Sequence, residues 1–335
     1  MSGCKIRELR FLNVSRGPLF RLLSVWLVAA YCVTADDAGI AAVSVAALTR
    51  NIPSESARAL TGSQFAESVA RMDSRRREQA ILKEILAGNL PGFLRNLVPV
   101  ELSYRPLLNG KSHNGKSHTA TIFVMPEYLA IGSDKDFLRI PMNLYTALTV
   151  ANQMGFILPT RKIVNAIYER SAFHLSPEPM TPGPQMSSTE YYRIHNEKIE
   201  QQSQALGLTP GVLVSGHKKD VVVTNRLAGN PGQIAIYGWH RLNGAPIQPL
   251  STVHGACYAD YSHGIRLISE TVVVDGRARS VYDVLQDPVL SGVLSDEGPI
   301  PDLRALIART AGDAACGQAK AVKYEGQAGI AHFPL

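Results

Sequence analysis

Short β-type apolar runs recur through residues 211–274 and constrain the fold of this chain more than any other feature. Residues 212–214, 221–223, 233–239, 265–269 and 271–274 each read as a strand. Turn residues separate them: Asn230-Pro231-Gly232, Asn243-Gly244 and Asp275-Gly276. Runs this short and this closely spaced predict a mainly antiparallel sheet in the C-terminal half.

Upstream, the apolar spacing changes from two to three and four. Thr61 followed by Gln64 has the form of a capping box. Phe65, Val69, Met72, Ile81, Leu82, Ile85 and Leu86 follow at helical intervals. Helices are also predicted over residues 141–156, from 160, over 191–206 and over 302–311. The fold class is therefore α+β, with an N-terminal helical layer on that sheet. Residues 36–60 read as a mobile lead-in and 61–180 as a helical and mixed part. Residues 186–311 read as the β-rich part and 312–335 as a tail. Four prolines between residues 175 and 185 mark either a domain boundary or a surface loop.

Several local features carry expectations of their own. Arg75-Arg76-Arg77 reads as a solvated helix face, as do His195, Glu197 and Glu200. Arg161 and Lys162 open a helix, where the dipole disfavours cations, so an anion should compensate them. Asn109-Gly110-Lys111-Ser112-His113 repeats as Asn114-Gly115-Lys116-Ser117-His118, a duplication in a turn-rich hairpin.

The β-rich stretch is also where the chemistry concentrates. His217, His240, His254 and His263 are four of the nine histidines. Asp220, Asp260, Lys218, Lys219, Arg266, Cys257 and Ser262 lie among them. Two chemistries suit these groups. In a metal-free site, His263 oriented by Asp260 or Asp220 moves a proton, with Ser262 or a water attacked or activated. Arg266 or Lys218 would steady developing negative charge. In a metal site, zinc suits imidazoles with one aspartate, so His217, His240 and His254 are candidate ligands beside Asp260 and His263.

Ser262-His263-Gly264-Ile265-Arg266-Leu267 also resembles the end motif of the L,D-transpeptidases, which cross-link peptidoglycan. A cysteine follows Ser-His-Gly in that family, and Ile265 stands in its place. The resemblance covers six residues and supplies no nucleophile, since Cys257 lies on the other side of His263.

Residues 1–35 read as a signal peptide: a basic segment to Arg21, an apolar stretch over residues 22–33, then Val33-Thr34-Ala35. An uncleaved anchor is the alternative. No other stretch is long and apolar enough to span a bilayer. Residues 1–35 carry four of the six net positive charges, so the remainder is too weakly basic to point to nucleic acid. Cys257 and Cys316 then remain, either as a disulfide of an oxidising compartment or with Cys257 as a nucleophile. Together these features predict a secreted or periplasmic hydrolase or related transferase. Its substrate would be an extracytoplasmic polymer, peptidoglycan or polysaccharide, or a small molecule. The alternative is a non-catalytic binding or structural protein of the envelope.

Overall fold

Thr61 starts the first long helix as its spacing predicts. Its side chain accepts from the Gln64 amide, and the Gln64 side chain accepts from the Thr61 amide at 3.0 Å. This helix, α1 (Gly62–Val69), is shorter than the apolar repeat suggested. Asp73 caps a second one, α2 (Ser74–Leu86), and Met72 between them is exposed. Asn143 and Gly155, the latter at φ 76°, bound α3 (Leu144–Met154). Thr160 caps α4 (Arg161–Arg170) and Ser188 caps α5 (Thr189–Ala205). The compensating anion for α4 is Asp296, 2.7 Å from Arg161, while Lys162 donates to the Gly292 carbonyl.

The computed structural model describes residues 43–54, 58–108, 111–112, 117–305 and 316. The signal-like segment, most of the Asn-Gly-Lys-Ser-His duplication and the tail apart from Cys316 lie outside these, as does most of the helix expected over 302–311.

In chain order the two main sheets use β1 (Val98–Tyr104), β2 (His118–Val124), β3 (Phe156–Ile157), β4 (Lys219–Val221) and β5 (Gln233–His240). They continue with β6 (Pro246–Gly255), β7 (His263–Gly264), β8 (Ile268–Ser269), β9 (Thr271–Val274) and β10 (Arg277–Ser280). The larger sheet runs β10-β9-β2-β8-β3, with β1 along the other edge of β2, and every pairing is antiparallel. Alternation is clean there: Val100, Leu102, Ala120, Ile122 and Val124 point inward. The smaller sheet runs β6-β5-β4-β7. Its β4–β7 pair is parallel, which the short-run pattern did not foretell, and its β6 was missed because its apolar residues do not alternate.

The class is α+β, with antiparallel sheets and helices. The larger sheet joins strands from both halves of the sequence, and residues 40–335 form one unit. The Pro-rich stretch is thus a loop within that unit. Arg75, Arg76 and Glu197 are exposed as expected, but their neighbours Arg77 and His195 are interior. Arg77 is buried and donates to the Ser187 carbonyl at 2.6 Å and the Tyr192 hydroxyl at 3.3 Å. His195 is fully buried, and Glu200 pairs with Arg139 at 2.6 Å. No helix of the described residues is long and apolar enough to cross a membrane.

The sheets meet along residues 125–129 and 264–267. Met125 N–H donates to the Leu267 carbonyl at 3.0 Å, and Leu129 N–H to that of Ile265 at 2.8 Å. Helix α4 packs on β1 of one sheet and β5 of the other. Gly264 makes the junction fit, because a Cβ there would lie 2.6 Å from Tyr128 Cδ1 and 2.7 Å from Lys218 Cβ. Gly264→Ala is expected to lower stability by about 2–3 kcal/mol in urea denaturation. A change below about 0.5 kcal/mol would mean that Tyr128 yields at no cost.

Candidate functional site

Parallel pairing of β4 with β7 sets Lys219 beside His263 and Asp220 beside Gly264. Paired residues in register share a sheet face, so Lys219 and His263 point the same way and Asp220 points the other. His254 on β6 reaches the first face, its ring 6.4 Å from that of His263. Three nitrogen-bearing side chains from three strands therefore converge.

The loop from Ala256 to Ser262 completes this face. Ser262 donates from both its N–H, at 2.8 Å, and its hydroxyl, at 2.6 Å, to Asp260 Oδ1. Tyr258 O–H donates to Asp260 Oδ2 at 3.1 Å. His263 Nε2 stands 4.0 Å from that same Oδ2. Tyr258 also stacks on His254, with ring centres 4.6 Å apart, and meets His263 edge-on at 5.7 Å. Burial alone would raise the Asp260 carboxyl. His263, Lys219 and the Ser262 bonds outweigh it and hold it at about 2. Burial pulls the His263 imidazole down to about 4, against the attraction of Asp260. At neutral pH the pair is a carboxylate beside a neutral imidazole. Among the described residues neither His263 ring nitrogen has a hydrogen-bond partner, although the residue is 1% exposed.

Neighbouring elements hold the loop from every side. Cys257 is disulfide-bonded to Cys316. Leu144 N–H, at the start of α3, donates to the Ala256 carbonyl at 3.0 Å. Tyr192 O–H on α5 donates to the Ala259 carbonyl at 3.2 Å. Tyr261 N–H donates to the Met186 carbonyl at 3.0 Å, and the Lys218 ammonium donates to the Tyr261 carbonyl at 2.6 Å. A fully braced loop keeps Asp260 and His263 at fixed separation, which proton transfer requires.

The opposite face is a closed network of charges. Tyr128 O–H donates to Asp220 Oδ2 at 2.9 Å, and burial pushes the Asp220 carboxyl up to about 7 despite Arg266 and that bond. His217 Nε2 lies 3.0 Å from Glu127 Oε1, and Arg139 Nε donates to Glu127 Oε2 at 2.9 Å. Against a large burial effect, Arg139 and His217 hold Glu127 well below the usual carboxylate range.

This placement revises several candidate roles. Arg266 is wholly buried, bonded to the Met125 and Val214 carbonyls and stacked over Tyr128, so it cannot reach a substrate anion. The Ser262 hydroxyl holds Asp260 and is fully buried, so it is a positioning group and not the attacking one. His217 is committed to Glu127 in the interior. His240 lies on the far face, stacked on Tyr168 at 4.6 Å. His217, His240 and His254 therefore do not meet. Among the described residues no three His, Cys, Asp or Glu side chains are grouped to hold a metal. His217 faces Glu127, His240 stacks on Tyr168 and His254 stacks on Tyr258, which keeps the three candidate ligands apart. The cysteine chemistry of the resembling motif is likewise missing: Ile265 is buried in its place and Cys257 is a disulfide.

Asp260, His263 and His254 do come together as candidate groups. Sequence reasoning did not single out Lys219, Tyr258 or Trp239 for a role. The Lys219 ammonium stands 4.9 Å above the Trp239 ring, and Trp239 adopts φ 56°. A left-handed backbone at a bulky residue costs on the order of 1–3 kcal/mol and concentrates at functional sites. Only the Lys219–His263 register could have flagged these residues, and the strand pairing that sets it is not local information. Comparison of the chain with known protein families, with curated proteins and with solved structures gives no match.

The His263 shift fixes a pH dependence. An unfolded imidazole titrates near 6.5 and the folded one near 4, so the stability from keeping the ring neutral is complete above pH 6.5 and is lost as pH falls through 4. His263→Gln is expected to remove about 3 kcal/mol of the stability difference between pH 7 and pH 4, read by urea denaturation at both pH values. An unchanged difference would show that the imidazole titrates normally.

Proposed function

We propose that this chain is an exported hydrolase, or a related transferase, acting on an extracytoplasmic polymer such as peptidoglycan or polysaccharide. The observation that carries the reading is the His263 ring: buried, neutral, 4.0 Å from an ionised Asp260, and with both nitrogens unpartnered. An unpartnered buried imidazole loses the hydrogen bonds it would make in water. A bound substrate or water would restore them.

In this reading His263 accepts the proton of an attacking water or substrate hydroxyl. The imidazolium that forms is stabilised by Asp260, whose charge is fixed in place by Ser262 and Tyr258. The same nitrogen then returns the proton to the leaving group. Ser262 and Tyr258 are positioning residues. Lys219 and His254 are half-buried, more exposed than His263, and would meet the substrate. Export is inferred from the signal-like residues 1–35, and the Cys257–Cys316 disulfide supports it, because such bonds persist in oxidising compartments. The polymer follows from export and not from any one side chain.

A non-catalytic envelope protein is the second reading. What favours it is the burial of the pair, since Asp260 and His263 are each 1% exposed. The experiment is a release assay on purified peptidoglycan and on a panel of polysaccharides. Parent protein should release soluble fragments, and His263→Asn should lower the rate by about 100- to 10,000-fold without changing the thermal midpoint at pH 7 by more than a few degrees. No release from any polymer by the parent, or an unchanged rate in His263→Asn, would discard the acid/base role.

A further inference from the structure

Lys219 is the residue of this face that the proton chemistry does not use, and its surroundings point to a ligand. We propose that the site takes a carboxylate-bearing ligand, whose carboxylate sits on the Lys219 ammonium and the His254 ring in front of His263. The inference rests on the acid/base reading of the same site and names its substrate class.

Lys219 is half-buried, yet among the described residues its ammonium makes no hydrogen bond and has no carboxylate within 4.0 Å. Its partner is the Trp239 ring at 4.9 Å, which attracts a cation without neutralising it. Asp260 is the nearest candidate counter-ion, but its two oxygens already accept from Ser262 twice and from Tyr258. Burial disfavours the charged ammonium and the pull of Asp260 offsets this only in part, so a cost remains that an incoming anion would relieve. The other interior cations lack this vacancy. Arg139 has Glu127 and Glu200, Arg266 has two carbonyls, and Lys218 has the Tyr261 carbonyl.

Two further observations place the anion at this point. His263 is paired with Lys219 across parallel strands and offers two unpartnered ring nitrogens on the same face. A neutral imidazole supplies one N–H donor and keeps one nitrogen as a base. His254 adds a half-buried ring with no hydrogen bond among the described residues, held by its stack on Tyr258. The strained φ of 56° at Trp239 keeps the indole under the ammonium and so fixes where the charge sits. The arrangement has one charge, one or two N–H donors and an aromatic floor. It matches a single carboxylate attached to a ring or a short chain better than a neutral group.

Such a carboxylate has two sources in an extracytoplasmic polymer: a uronic acid of a glycan, or the C-terminus of a peptide. Ligand-observed NMR titration of the purified full chain distinguishes them. The probes are glucuronate against glucose, and acetyl-alanyl-alanine against its C-terminal amide. At least one acid should bind with a Kd at least tenfold below that of its neutral counterpart. Lys219→Gln should abolish that preference, and Lys219→Arg should retain it. Binding of the uronate alone assigns a glycan, and of the peptide alone a peptide. Equal binding of acid and neutral probes, no binding of any probe, or an unchanged preference in Lys219→Gln overturns the proposal. It can fail separately from the catalytic reading. Acid preference with full turnover in His263→Asn would sink only acid/base catalysis, whereas lost turnover without acid preference would sink only the carboxylate seat.

Discussion

The buried guanidinium of Arg266 is the interaction on which the rest depends. It bonds the carbonyls of Met125 and Val214 and lies 4.2 Å over the Tyr128 ring. Met125 and Tyr128 lie in one segment and Val214 in another, so one side chain fastens the end of the larger sheet to the approach of the smaller one. A charge this deep is tolerated only when its surroundings answer it. Here they are two carbonyls, an aromatic face, and the charges of Asp220 and Glu127. The Glu127–His217 and Glu127–Arg139–Glu200 contacts follow from the same requirement, since each buried charge needs its own partner.

The candidate site lies on the other face of the strands that this network anchors. Asp220 and Lys219 are adjacent in sequence and point in opposite directions, one into the closed network and one toward His263. The two faces differ in completeness. On the network side most polar groups have partners, and on the other side the His263 ring and the Lys219 ammonium make no hydrogen bond among the described residues. That contrast is what supports the proposal that the second face takes a ligand. It also explains why Arg266, only three residues from His263, has a structural role.

Much of the architecture was legible. Thr61 and Gln64 announce a helix start because the capping box is a contact between residues three apart. Asp275-Gly276 announces a hairpin for the same reason, and β9 and β10 pair around it. Arg77 and His195 were misread as surface because a helical repeat gives the angle of a residue around its axis. It does not give what packs there, and α5 meets a second layer on the side that looked polar. The density of histidine and aspartate between residues 211 and 269 marked a region for inspection. It could not assign partners, and His217, His240 and His254 went to three different environments.

The sequence by itself determined the α+β class, most helix starts and the strand-rich C-terminal half. These are matters of propensity, capping and short-range spacing, encoded in neighbouring residues. Only the tertiary structure decided that β4 and β7 pair in parallel, that Lys219 joins His263, and that Arg266 and Ser262 serve as supports. Those outcomes depend on contacts between residues tens of positions apart. They are fixed by which buried polar groups can satisfy one another once the two sheets have closed.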